Sequence, residues 1–172
     1  MIKLIKPTLK FKNSFIKAVM EYQKEGYRYI DLNVYELKND FPSYLKSLAN
    51  HEKGINLINY QVPQITFWLV KNTEFIGSTR IRLKLNDRYH KQGGNIGYDI
   101  RPSERKKGYG NNLLRLALKK AKKTGLKKAL LTCQKDNIAS QKIIERNGGI
   151  KIKESEKDKH YSPEKTKYWI NL

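Results

Sequence analysis

The chain has 172 residues, with 36 Lys or Arg against 16 Asp or Glu and a formal net charge of +20. A chain of this length suits one domain that buries roughly two-thirds of its unfolded surface, so stability requires neither disulfides nor metals. Its single cysteine, Cys133, excludes an internal disulfide and leaves too few thiols for a zinc site. No apolar run approaches the ~18 residues that span a bilayer, and "MIKLIKPTLKFKNSF" lacks the apolar centre of a signal peptide. The expected setting is therefore the cytoplasm, with no membrane partner. A field this positive attracts nucleic acid, acidic membranes or anionic small molecules. The lysines are spread along the chain and are not interleaved with stacking aromatics, which argues against a nucleic-acid module. The plain alternative is that solvated positions default to lysine.

"IKLIK" reads as an opening strand. Residues 11–24 place Phe15, Ile16, Val19 and Met20 on one helical face, with Gly26 as the stop. In "DFPSYLKSLANHEKG", Asp40 is a cap, Pro42 sits early and Gly54 follows the end: a second helix. "ITFWLVK" and "EFIGSTRIRLKL" are β-branched and aromatic, and are separated by the turn "NTE". In the second run Ile81, Leu83 and Leu85 alternate with Arg80, Arg82 and Lys84, which predicts a strand with one apolar and one cationic, solvated face. "NDRYHKQGG" is expected to be a loop and "NIGYDI" a strand, ended by Pro102. The clearest helix covers 110–124, with Leu113, Leu114, Ala117, Leu118 and Ala121 on one stripe and lysines in its last turns. "KALLTCQ" is a buried strand. Asp136 or Asn137 caps a last helix that stops at 147–149, and "GIKIKES" and "TKYWINL" close the chain as strands. No internal repeat or linker divides residues 1–172, so one domain is expected. The order of elements predicts an α/β domain of the α+β type.

Between Ile100 and Leu113 the chain passes from strand to helix through "RPSERKKGYGNN". A helix start carries unpaired N–H groups and about half a positive charge. Gly108 and Gly110 leave the backbone open, and Arg105, Lys106 and Lys107 add full charges. Together these make an anion site suited to a phosphate or pyrophosphate. The stretch lacks the G-x-x-x-x-G-K-[ST] string of a P-loop and the third glycine of a dinucleotide fingerprint. It does fit [R/Q]-x-x-G-x-G, from Arg105 to Gly110.

On these residues the segment 66–149 resembles the coenzyme A-binding half of the GNAT superfamily of N-acetyltransferases. The matching pieces are "NIGYDIRP", "RKKGYG", the helix that follows, "ALLTC" and "DNIASQKIIERNGG". The last of these fits the superfamily pattern at Asn137, Ser140 and Gly148. "RLKLND", "GGNIGYDIRPSERKKGYG" and "KYWI" further resemble a bacterial subgroup of uncertain substrate, while the first 60 residues match loosely. The resemblance implies a mixed, mostly antiparallel central sheet that is flanked by helices and splays open after "NIGYDI". Acetyl-CoA would be the co-substrate, with no metal. Its pantetheine would lie along residues 98–102, Ile100 among them. Its pyrophosphate would sit on amides from Lys107 to Asn111, with Arg105, Lys106, Gly108 and Gly110 around it. Asn137 would hold the pantetheine arm or the sulfur end, with Ser140 counted beside it.

Direct transfer needs a neutral amine, and a lysine-like amine is neutral only about one part in 2,500 at pH 7, equivalent to ~4.6 kcal/mol. Asp99 is the carboxylate best placed by sequence to take the proton; the alternative is a strand-end residue paired with Arg101 or Arg105. Where many superfamily members carry a tyrosine acid, this chain has Ile144. Tyr98, Tyr161 and Tyr168 are the candidate substitutes, and solvent can also protonate a thiolate whose pKa is about 8.5. Cys133 is expected to be a buried hydrophobe rather than a nucleophile. His51, His90 and His160 have no metal spacing. Arg80 and Arg82 either face solvent or read a carboxylate on the acceptor. The expected activity is acetyl transfer to a primary amine of a small molecule in a ternary complex. The rivals are a non-catalytic acyl-CoA sensor and a basic nucleic-acid-associated protein. A homodimer is left open.

Overall fold

The structure, a computed structural model, describes residues 1–26, 32–58, 60–153 and 155–172. Strands β1 (Ile2–Ile5), β2 (Ile65–Lys71), β3 (Glu74–Ile81) and β4 (Ile96–Ile100) form one antiparallel sheet in that order. Strands β5 (Lys128–Gln134), β6 (Ile150–Lys151) and β7 (Lys165–Asn171) form a second antiparallel sheet, with β7 in the middle. Among the described residues six α-helices flank them: α1 (Lys12–Lys24), α2 (Val34–Asn39), α3 (Phe41–Lys53), α4 (Asp87–Lys91), α5 (Tyr109–Lys123) and α6 (Ile138–Arg146). This is the expected α/β architecture, with antiparallel sheet between helices.

Strand β2 explains the layering. Its side chains alternate between faces, and both faces are covered, so the run reads as continuously apolar. Trp68 and Val70 join Phe11, Phe15, Val19 and Phe41 on the side of α1 and α3. Phe15 stacks on Trp68 with ring centroids 4.6 Å apart. On the other side, Leu69 meets Leu113 of α5, and Phe67 shares a cluster with Leu114, Ala117 and Ala121. That second cluster continues into Ala129, Leu131, Tyr168 and Ile170, so α5 and α6 cover both sheets.

The two sheets are stitched together around Asn95, where Gly93 N–H also donates to Thr132 Oγ1 of β5 at 2.7 Å. Asn95 N–H donates to Leu130 O (2.7 Å), and Leu130 N–H donates to Asn95 Oδ1 (2.8 Å). Asn95 Nδ2 donates back to Arg82 O at 2.9 Å, so this buried amide acts as an extra peptide unit. Gly94 precedes it at φ +61, and a Cβ there would lie 2.2 Å from Leu130 O. Beyond the stitch, β4 and β5 form no ladder. Asn95→Ala is expected to cost about 2–3 kcal/mol by orphaning a buried N–H and a carbonyl, read as a lower midpoint in urea unfolding.

Several expectations change. The expected loop "NDRYHKQGG" contains α4, capped by Asn86 Oδ1 on Tyr89 N at 3.1 Å. Helix α2 was not anticipated. Strand β3 stops at Ile81, so Leu83 and Leu85 are not in it, and Arg82 is buried rather than solvated. The expected strand "GIKIKES" shrinks to Ile150–Lys151, and its position 154 lies outside the described residues. The cap of α6 is Asn137, whose Oδ1 accepts from Ser140 N at 3.0 Å.

Candidate active site

The strand-to-helix turn is fixed from both sides. Pro102 opens a single 3-10 turn over Pro102–Glu104. Just before it, Arg101 reaches Glu21 of α1 (2.7 Å) and Glu74 of β3 (3.0 Å), while Ser103 N–H donates to Glu21 Oε2 at 3.0 Å. Burial works to raise the Glu21 pKa, but its bonds to Arg101 and Ser103 outweigh this and hold it below the usual carboxylate range. Glu74 is also lowered, first by its hydrogen bond from Ser14 and against some burial, then by Arg101. A depressed folded-state pKa contributes stability above the unfolded value of about 4.3, and that stability is lost as pH falls through the folded value. Acid unfolding of the wild type is therefore expected to be steeper below pH ~4 than that of a Glu21→Gln, Glu74→Gln variant, read by circular dichroism.

Past the turn, Lys106 and Gly108 adopt left-handed φ angles of 60 and 78. Gly108 is the N-cap of α5 and supplies no side-chain cap. The first ladder bond across this start runs from Asn112 N–H to Gly108 O at 3.4 Å. The amides of Tyr109, Gly110 and Asn111 thus open the helix without an intrahelical acceptor, beside an exposed glycine with nothing within 4 Å of its would-be Cβ. Gly110 differs: it is buried, and a Cβ there would sit 2.7 Å from Ile143 Cδ1. Its missing side chain lets α5 pack on α6. The basic side chains divide as well. Arg105 folds back onto Glu25 (2.8 Å) and Ile100 O (3.1 Å), and Lys107 pairs with Glu104 at 3.1 Å. Lys106 is exposed. Lys71, overlooked in the sequence, donates to Tyr109 Oη at 3.0 Å and adds a cation at this end.

Beside this turn the sheets diverge. Arg101 N–H donates to Ile76 O, and Asn95 O accepts from Arg82 N–H. Strand alternation then turns the peptide groups of Tyr98 and Ile100 away from β3, toward the opening. Tyr98 Oη lies 2.8 Å from Ser140 Oγ, joining β4 to α6. Burial pushes the Tyr98 phenol up to about 12, against the hydrogen bond to Ser140. Asn137 spends its Oδ1 on the α6 cap and keeps an amide NH2 for other partners. The opening thus has Ile100 of β4 beside it, the 105–111 turn next to the C-terminal end of α6, where Asn147 Nδ2 donates to Asn111 Oδ1 at 2.7 Å, and Ser140 and Asn137 at the other, N-terminal end of α6. Ile144 is fully buried in the shared core, so no hydroxyl stands at that position. Burial, then Glu145, raises the Tyr168 phenol, whose Oη lies 3.1 Å from Glu145. Tyr161 lines a separate cavity of about 590 Å³ with Lys135, Lys151 and Lys165. Burial lifts the Cys133 thiol to about 11, away from thiolate chemistry.

The opposite face of β3 and β4, under α1 and α3, is polar. Asp99 is 6% exposed and accepts from Tyr22 Oη (2.9 Å), Ser78 Oγ (2.9 Å) and Arg80 Nη2 (2.7 Å). The partner of Asp99 is therefore Arg80, in place of the Arg101 or Arg105 pairing weighed from sequence. Ser78 and Tyr22 carried no signal in the sequence, because their role arises from the register Ser78↔Asp99 and from the docking of α1. Arg82 continues the face. Burial lowers its guanidinium to about 10, still cationic at neutral pH. Burial, then the Arg82 charge, lowers His51 below its ordinary value. Among the described residues no group of three or more His, Cys, Asp or Glu is arranged to hold a metal, and no helix is long and apolar enough to cross a membrane.

Two antiparallel sheets splayed beside an open helix start define an α/β domain of the acyl-CoA N-acyltransferase fold. A family model described as an acetyltransferase (GNAT) domain matches residues 17–150, and the chain belongs to that family. The fold is similar to the microcin C7 self-immunity acetyltransferase MccE in complex with acetyl-CoA and AMP. That match has a TM-score of 0.67 and 15% identity, over 99% of this chain and 92% of that one. A GNAT-family acetyltransferase from Streptococcus pneumoniae matches with a TM-score of 0.64 and 17% identity, over all of both chains. The PaiA N-acetyltransferase from Thermoplasma acidophilum, in complex with coenzyme A, gives a TM-score of 0.62 and 14% identity, over 100% and 99%. Among curated proteins there is no match.

Proposed function

We propose that the protein, acting as one domain, moves the acetyl group of acetyl-CoA to a primary amine of a small molecule by direct attack in a ternary complex. The observation that carries this reading is the uncapped start of α5, which adjoins a sheet opening toward which Tyr98 and Ile100 turn their peptide groups. The diphosphate would take the amides from Gly108 to Asn111, and the amide-bearing pantetheine would pair with the β4 edge. Lys106 and Lys71 add charge around it. Asn137 would offer its NH2 to the pantetheine arm, and Ser140 its hydroxyl beside Tyr98.

The acceptor would approach from the α1 and α3 face, where Asp99 is the assigned proton acceptor. Its three donors fill three of about four lone-pair sites on the carboxylate, leaving one for an ammonium proton. The departing thiolate would take its proton from solvent, or from Tyr98 through a hydrogen bond. The proposal is tested by thermal shift with acetyl-CoA, coenzyme A and a short DNA duplex, followed by thiol release over an amine panel. Stabilisation by acetyl-CoA together with amine-dependent thiol release supports transfer. Stabilisation without turnover on any amine makes the protein a sensor. Stabilisation by DNA alone, lost with salt, gives the charge a nucleic-acid role. Cys133→Ala is expected to keep thiol release within about threefold of wild type; loss of turnover with an intact fold would bring an acyl-cysteine route back.

A further inference from the structure

Arg82 is 7% exposed, yet no carboxylate pairs with it among the described residues. Its Nη1 donates to Gly94 O at 3.1 Å, and its guanidinium carbon lies 4.1 Å from the ring centre of Tyr89. Its Nε–H is buried with no acceptor among the described residues. A buried cation with an unused donor is costly unless something anionic completes it. Three more buried polar atoms among the described residues lack partners: His51 Nε2, Gln64 Oε1 and Trp68 Nε1. Extending the register Ile65↔Ile81 by one residue sets Gln64 opposite Arg82, Gln64 N–H donates to His51 O at 3.3 Å, and the Arg82 charge acts on His51. The unfinished side chains of Arg82, Gln64 and His51 therefore belong to one region, under α3 and at the end of β3.

Gly97 sharpens the picture. A side chain there would begin 3.8 Å from Arg80 Nε and 3.8 Å from Arg82 Nη1, so both guanidinium groups converge over this glycine of β4. Among the described residues Asp99 pairs with Arg80 and no carboxylate pairs with Arg82, which stands over a glycine two residues along β4 from the assigned proton acceptor.

We propose that the acceptor carries an oxyanion, a carboxylate or a phosphate ester, and that Arg82 binds it through its Nε edge with Arg80 beside it. The inference rests on the acetyl-transfer reading and deepens it: the substrate class becomes an amine bearing a separate anionic group. The guanidinium fork suits either oxyanion, so the test uses both chemistries.

The kinetic arm compares 4-aminobutyrate with butylamine, and 2-aminoethyl phosphate with ethanolamine. At least one anionic member is expected to exceed its neutral partner by tenfold or more in kcat/KM, mostly through KM, and Arg82→Gln is expected to bring that ratio close to one. The binding arm needs no turnover. The Nε–Hε resonance of Arg82 is followed while butyrate or inorganic phosphate is titrated, with and without coenzyme A. A saturable shift of that resonance, with a parallel shift of the Gly97 amide that is lost in Arg82→Lys, supports the site even if no amine is acetylated, in which case the transfer reading alone fails. No shift with either probe overturns the site, whatever the turnover. Arg82→Met is expected to melt, without ligand, no lower than wild type; a clear drop would give Arg82 a packing role and count against the proposal.

Discussion

A Gly108→Glu variant is expected to bind acetyl-CoA roughly a hundredfold more weakly than wild type, about 2.7 kcal/mol, while keeping its fold. The two effects separate cleanly. Gly108 sits at φ 78, and a non-glycine residue in that region costs about 1–2 kcal/mol, equally in free and bound protein. That strain lowers the melting temperature but does not weaken binding. The affinity loss comes from charge. A glutamate at the N-cap offers its own carboxylate to the amides of Tyr109 to Asn111 and repels a diphosphate placed there. A like-charge contact near 4 Å is worth about 4 kcal/mol at a surface-like dielectric, which salt and exposure reduce. The space around the glycine is open, so no steric clash confuses the result. Gly108→Asn is the control, because Asn tolerates left-handed backbone and carries no charge; its calorimetric affinity should stay within about threefold of wild type. If Gly108→Glu bound acetyl-CoA normally, the diphosphate would not lie at this turn.

How far the sequence foretold this site depended on how local each cause was. Helix α5 was legible because its stripe of Leu113, Leu114, Ala117 and Ala121 repeats at helical spacing and all four are buried. The turn before it was legible because the substitution of glycine for a capping side chain is written in the sequence. Gly110 shows the limit of that reasoning. Its glycine looked like ligand access, yet Ile143 from another helix requires it. Alternation correctly placed Arg80 and Arg82 on one face of their run, but alternation does not say what covers a face. Helices α1 and α3 cover it in part, which buries Arg82, half-buries Arg80 and leaves Lys84 exposed. Asn95 left no trace at all, because a side chain that serves as a peptide unit has no periodicity. Helix α2 did have a signal that was passed over: Asn33 accepts from Tyr35 N (2.9 Å) and Glu36 N (3.3 Å), and its NH2 returns to Glu36 Oε1 at 3.1 Å. That is a side-chain N-cap with a Glu three residues on, closed side chain to side chain, ahead of a helix too short to show amphipathic repeat.

Asp99→Asn is the variant with the widest expected consequences, because one carboxylate holds three donors. The amide is nearly isosteric and keeps one acceptor oxygen for Tyr22 or Ser78, but its NH2 confronts a second donor and withdraws the counter-charge of Arg80. Arg80 retains some solvent, so the stability loss is expected near the lower end for a broken buried pair, about 2–3 kcal/mol. Acetyl-CoA affinity should change little, since Asp99 lies on the α1 and α3 face and the α5 start lies at the other side of β4. Turnover is expected to fall by about 10²-fold, the lower range for a lost general base. Two explanations for that fall differ in their pH dependence. If Asp99 takes the amine proton, the loss is concentrated in kcat and the rising limb of the rate profile loses its slope. If Asp99 only fixes Arg80, the loss appears at every pH and resides in KM for the acceptor. Tyr22→Phe discriminates further, because it removes one donor and leaves the carboxylate freer to accept a proton without unpairing Arg80. Under proton acceptance Tyr22→Phe alters the shape of the pH–rate profile; under positioning alone it scales the profile uniformly. Unchanged turnover of Asp99→Asn across the pH range, in a protein that still binds acetyl-CoA, would remove Asp99 from the reaction and leave the amine to lose its proton to water before it enters.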